Sequence, residues 1–288
     1  MSDVLLNFLI FGTIQGAIYG LLAMGFSLVY GVGGILNQSH GAFYVITTYI
    51  FYVFYREGFG LVPGIIVGLI VVTLIGGLVY IALIKPLKDS HVGVVIVTFA
   101  FAFFIEQFVS ISVDSIYHDM PNLIPGAFNF FGVSIYYHYI VVIITSFGLL
   151  ALITYIINKF KIGKSIRAVA QDPEAAELMG INVDRILAYT VMISAFLAGF
   201  AAILYVPVDI VAPHIGWTIL INSFSIVVLG GLGSLPGSVI GAFIISYANA
   251  FTNFVLNLPE LSALLPIIVI VLMLVIRPRG LFGKKEIV

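Results

Sequence analysis

The placement of the cations constrains this chain more than any other feature. Twelve lysines and arginines are spread over 288 residues, yet all but Arg56 fall in three short segments, 85–91, 158–185 and 277–288. These hold Lys85 and Lys88, then Lys159, Lys161, Lys164, Arg167 and Arg185, and finally Arg277, Arg279, Lys284 and Lys285. The remaining connections carry acids instead: Asp3, Glu57, Asp114, Asp119, Asp209 and Glu260. Basic residues collect on the cytoplasmic side of membrane proteins, so the three basic segments should share that face. The long stretches between them are almost wholly apolar, and the mean hydropathy of +1.20 with 9% charged residues excludes an ordinary soluble domain. Such long, unalternating apolar runs suit helices and not barrel strands. The expected fold is all-α, a polytopic transmembrane helical bundle of about eight to ten spans, some of them broken or re-entrant.

Hydropathy places spans near 5–30, 38–55, 61–84, 92–113, 136–157, 186–206, 217–235, 237–257 and 261–276. Alternating the basic and acidic connections puts the N-terminus outside and the C-terminus in the cytoplasm. The protein is therefore expected to be multi-pass in a cell (inner or plasma) membrane, as a single domain over 1–288. No removable signal peptide is expected, because Met1–Asn7 lacks a basic n-region. Gly31, Gly33, Gly41, Ala42 and Phe43 recur as Gly231, Gly233, Gly241, Ala242 and Phe243. The threading gives both blocks one orientation, as a parallel repeat requires, although glycine-rich apolar sequence also matches itself by chance.

Several chemistries are excluded. A net charge of −1 offers no field for nucleic acid, and the absence of cysteine removes disulfides, thiolate metal sites and cysteine nucleophiles. Neither Gly-x-Ser-x-Gly nor His-Glu-x-x-His occurs, so no hydrolase is expected. Gly163-Lys164-Ser165 copies the end of a phosphate-binding loop, but position 158 is Asn158 where that motif needs glycine, and an apolar span precedes it. ATP should not bind there. No cofactor and no metal is expected.

The polar loop 158–185 has the parts of two short helices joined at Asp172-Pro173. Ile166, Val169 and Ala170 recur at helical spacing before the joint; after it, Ala175, Leu178 and Met179 form an apolar face with Glu174 and Glu177 directed elsewhere. Asp172 suits an N-cap, Pro173 the first helical position, and Gly180 a left-handed stop. A helix this short needs its apolar face packed on something, either the rest of this chain or another protein. The bland alternative is a solvated connector lying against lipid.

At this point the residues resemble a known family. Glu174-Ala175-Ala176-x-x-x-Gly180 looks like the EAA coupling motif of ABC-importer permeases, and the run from Gly163 onward resembles the branched-chain amino-acid ABC transporter permeases, LivH type. Three further stretches resemble that family: Asn37 to Phe43, Gly230 to Ala242, and Arg277 to Gly283. The resemblance spans essentially the whole chain. It implies an ABC importer for branched-chain or related small amino acids in which two permeases, homologous or identical, form the path. Separate ABC ATPase subunits would dock on the cytoplasmic loops, and an extracytoplasmic solute-binding protein would deliver substrate. It places Glu174, Ala175, Ala176 and Gly180, with Arg167 and Asp172 beside them, at the ATPase contact.

The intramembrane polar residues offer candidates for the translocation pathway. Glu106 lies about 20 Å into its span, where a carboxylate is functional by default unless Gln107 or a neighbouring helix satisfies it. Asn37, Gln38, Ser39 and His40 make a polar patch that either caps a helix or contributes to a path; His40 has no second histidine at ligand spacing for a metal. The glycine blocks around 31–34 and 230–241, with Gly233 ahead of Pro236, either break helices along the path or let helices cross closely. Asp209 and His214 flank Pro213 on an outer connection, either to meet a docking protein or as a solvated turn. An ion-coupled secondary transporter or a channel for a small solute is the competing class. The former should show two or more intramembrane carboxylates or basic residues, and this chain offers only Glu106.

Overall fold

The computed structural model describes residues 2–113, 117–130, 132–277 and 279–283; Asp114, Pro278, Lys284, Lys285 and the Asp3 side chain lie outside the description. Among the described residues, seven helical runs are long and apolar enough to cross a bilayer. They are α1 (Ser2–Gly33), α3 (Leu61–Val79, extended by π and 3-10 turns to Leu87), α4 (His91–Ser112), α5 (Tyr137–Lys159), α8 (Val183–Tyr205), α10 (Leu235–Ala250, extended by a π turn to Val255) and α11 (Pro259–Ile276). Two more apolar helices are shorter: α2 (His40–Arg56) has 17 residues and α9 (Ile215–Gly230) has 16. At 1.5 Å per residue each is roughly 25 Å long, less than the ~30 Å hydrocarbon layer. The polar connection forms α6 (Lys161–Gln171) and α7 (Pro173–Leu178), and an antiparallel hairpin pairs β1 (Ala127–Phe130) with β2 (Val133–Tyr136).

The two faces expected from charge are present. Lys85 and Lys88, from the turn between α3 and α4, both bridge to Asp184 in the first turn of α8 at 3.0 Å. That carboxylate holds the Lys88 ammonium above its ordinary range, chiefly through the hydrogen bond. On the same face the end of α1 meets the turn after α9, where Gly31 lies against Gly233. The terminal segment folds back there too: the Leu281 and Phe282 amides donate to the Leu229 and Gly230 carbonyls at 2.8 and 2.9 Å, satisfying the open end of α9. The opposite face carries the hairpin, a His118–Val211 bridge, and Tyr52 stacked on His118 at 4.6 Å. Arg56, the exception to the charge rule, sits there neutralised by Glu57 at 2.8 Å.

The centre is α8, of whose span 67% is buried, while α11 is peripheral with 6%. α1 and α10 lie alongside each other because Gly12 and Gly16 make room for Tyr247 and Phe243; a Cβ at either glycine would come within 2.5 Å of a ring. Small residues at helix contacts are how membrane helices approach without a hydrophobic force between them.

The two short helices explain the uncertain spans. α1 stops at Gly33, and α2 starts only at His40, with 34–39 non-helical between them. His40 is not at the basic face. Its Nδ1 lies 3.1 Å from Ser194 Oγ, roughly 16 Å along α8 from that face. The start of α9 meets the start of α2 inside the bundle: a Cβ on Gly41 would lie 2.3 Å from the Gly216 carbonyl oxygen. From that crossing α2 runs to the acidic face and α9 to the basic one. Each completes its passage with non-helical chain.

Candidate functional site

The knob on the basic face is built from its base outward. α6 lies across the end of α5, because Gly163 has no side chain; a Cβ there would fall 2.2 Å from the Ile157 carbonyl. Ile166 and Val169 are buried beneath it, and the Arg167 guanidinium donates to the Ile157 carbonyl. α6 is thereby held as a platform.

α7 follows with both ends capped as its residues dictate. The Ala175 amide donates to Asp172 Oδ1 at 2.9 Å, with Pro173 in the first turn. At the other end Gly180 has φ +83°, the Ile181 amide donates to the Ala176 carbonyl at 3.0 Å, and the Gly180 amide to Glu177 at 2.9 Å. This pair of bonds is a Schellman stop, which fixes a helix of only six residues. Ala176 alone of α7 turns inward and is buried. Ala175 is exposed, and the apolar face expected over Ala175, Leu178 and Met179 is left uncovered by the described residues. Leu178 is 89% and Met179 83% exposed. Beside them a cleft of about 640 Å³ opens between α7, the end of α1 and the Lys88–Asp89 turn, with Glu174 and Glu177 on its wall.

The interior candidates divide into separate places. Asn37 and His40 lie together in the break before α2, where Asn37 Oδ1 accepts from the Ser39 amide at 3.0 Å. Gln38 and Ser39 join them to Thr98 of α4, at 3.1 and 3.3 Å. Among the described residues, Asn37 Nδ2 is buried without a hydrogen-bond partner, and the buried His40 ring also meets the Leu22 backbone. Glu106 is buried and pairs with His214, which reaches it from the connection before α9. It borders a small cavity with Gln38, Gly41 and Gly216. Gly233 lies apart, packed on Gly31 at the basic-face turn. Two features were not singled out from sequence. One is the Lys85–Asp184–Lys88 cluster, legible only as charges sharing a face; the other is the Glu106–His214 pair, joining residues 108 positions apart.

Residues 8–274 match the family model described as branched-chain amino acid transport system / permease component. The chain is 30% identical to the high-affinity branched-chain amino acid transport system permease protein BraD of Pseudomonas aeruginosa, covering 97% of this chain and 96% of that protein. It is also 30% identical to the corresponding permease protein LivH of Escherichia coli strain K12, covering 100% of this chain and 99% of that one. Among solved structures it resembles PsaBC from Streptococcus pneumoniae in complex with Fab, with a TM-score of 0.54 and 13% identity over 94% of this chain and 92% of that chain, a likeness of fold.

Proposed function

The chain belongs to the branched-chain amino acid transport permease family, a multi-pass membrane component of ABC importers, and from that membership we propose how it works. Its knob receives a separate ATPase subunit, which seats on Leu178 and Met179 and reads Glu174 and Ala175, with Ala176 anchoring the turn from beneath. The observation that carries this is the rigid helix with both ends capped and its two largest apolar side chains facing solvent. An unpartnered apolar pair on a fixed turn is costly unless something covers it.

Movement of the ATPase would pass through α7 to α6, and from α6 to the ends of α5 and α8. Asp172 and Gly180 keep α7 stiff enough to transmit the push, and Arg167 ties the platform to α5. The basic face is cytoplasmic in this reading, with the C-terminus on it, because cations gather there. A second permease, homologous or identical, completes the path, and a solute-binding protein delivers a branched-chain or related small amino acid at the acidic face. ATP hydrolysis belongs to the partner, and residues 1–288 act as one permease domain.

Gentle purification of the tagged chain from its own cells should bring a nucleotide-binding protein with it. Excising 165–181 should release that protein while the spans stay folded. Uptake by the purified chain alone, driven by a proton gradient, would overturn the reading in favour of a secondary transporter.

A further inference from the structure

Glu106 is the one carboxylate, among the described residues, placed well inside the apolar length of a long span and away from its ends. It lies about 22 Å along α4 from the basic face. Its side chain is 8% exposed, whereas its partner His214 is 66% exposed. A carboxylate in a bilayer is costly unless it is compensated. The pair is lopsided: Glu106 is buried in the bundle, whereas His214 lies largely at its surface.

The surroundings suit a particular kind of solute. The starts of α2 and α9 converge beside Glu106, and neither helix is capped by its own side chain. Helix starts present amide N–H groups and a positive dipole end, which favour a carboxylate. Ala102, Trp217 and Leu220 supply an apolar wall to the same cavity. At about 10 Å³ the cavity admits roughly one water, so a larger occupant requires α2 and α9 to part.

The geometry points to Glu106 as the anchor for the ammonium group of a transported α-amino acid, with His214 as a latch that the ammonium displaces. The carboxylate end would lie toward the two helix starts, and an aliphatic side chain toward Trp217 and Leu220. This rests on the importer reading above and adds to it the group that recognises the zwitterion within the membrane. No covalent step is involved. The carboxylate exchanges one partner for another, from an exposed imidazole to an ammonium.

The test uses the full complex with its permease partner, ATPase and binding protein in proteoliposomes, with L-leucine as the probe. Glu106→Gln should lower the maximal rate of ATP-driven uptake about tenfold or more, with the complex still eluting intact on gel filtration. His214→Gln removes the latch and should lower KM about threefold or more, because the ammonium no longer has an imidazole to displace. Glu106→Asp keeps the charge and should keep most of the maximal rate, with a shifted KM. Equal losses in Glu106→Gln and His214→Gln would make the pair structural and overturn the proposal. So would normal uptake by Glu106→Gln, or an aspartate variant as poor as the glutamine one. If the parent complex shows no ATP-driven uptake at all, the importer reading has failed instead.

Discussion

Replacing both Leu178 and Met179 with aspartate is expected to strip the permease of its ATPase and abolish ATP-driven uptake. Both side chains face solvent, at 89% and 83% exposure. Burying an aliphatic side chain is worth ~1.5–3 kcal/mol, so covering two contributes ~3–6 kcal/mol to docking. Loss of that contribution weakens binding by roughly a hundredfold to ten-thousandfold. Aspartate adds a desolvation cost in the same direction. The permease itself should be untouched, because both side chains face solvent. Titrating purified ATPase onto the double variant, alongside a thermal melt of the permease, separates the two effects. An unaltered affinity would remove α7 from the interface.

Gly41→Val should be strongly damaging to the bundle. A Cβ at that position meets the Gly216 carbonyl oxygen at 2.3 Å and its carbon at 3.0 Å, and backbone cannot rotate aside as a side chain can. Overpacking costs ~1–3 kcal/mol or more, and here the starts of α2 and α9 must separate to relieve it. For a chain of this size that corresponds to a fall in Tm of roughly 3–10 °C. Gly148→Val in α5 is the matched control, since a Cβ there has no heavy atom within 4 Å. It adds the same side chain to another glycine of the bundle and should leave Tm nearly unchanged. Equal melting of the two variants would show that the α2–α9 crossing is loosely held.

What could be read from sequence followed the physics of each element. Charge asymmetry is a rule about faces, and the Lys85–Asp184–Lys88 cluster, the knob and the Arg277 end do share one face. The bounds of α7 were legible because capping is local: Asp172, Pro173 and Gly180 act within a turn of themselves. Its inward residue was not. Six residues are too few for periodicity, and Ala176 faces inward because of how α6 is seated on α5, a tertiary fact. Hydropathy placed spans at 38–55 and 217–235 but could not tell that α2 and α9 start inside the bundle. Residues 37–39 read only as a polar patch beside His40, and the path of this break depends on Thr98 and Ser194 from distant spans. The partner of Glu106 was hidden for the same reason. His214 read as a feature of an outer turn, and only the fold carries it to α4.

The account depends most on a stiff, solvent-facing tip that presents itself to the cell interior. Because the chain has no cysteine, Leu178→Cys gives it a single thiol at that tip. A membrane-impermeant maleimide should label this thiol in inverted vesicles stripped of ATPase, leave it unlabelled in intact cells, and lose access when ATPase is added back. Labelling from outside intact cells, or a thiol unreachable from either side, would contradict the account.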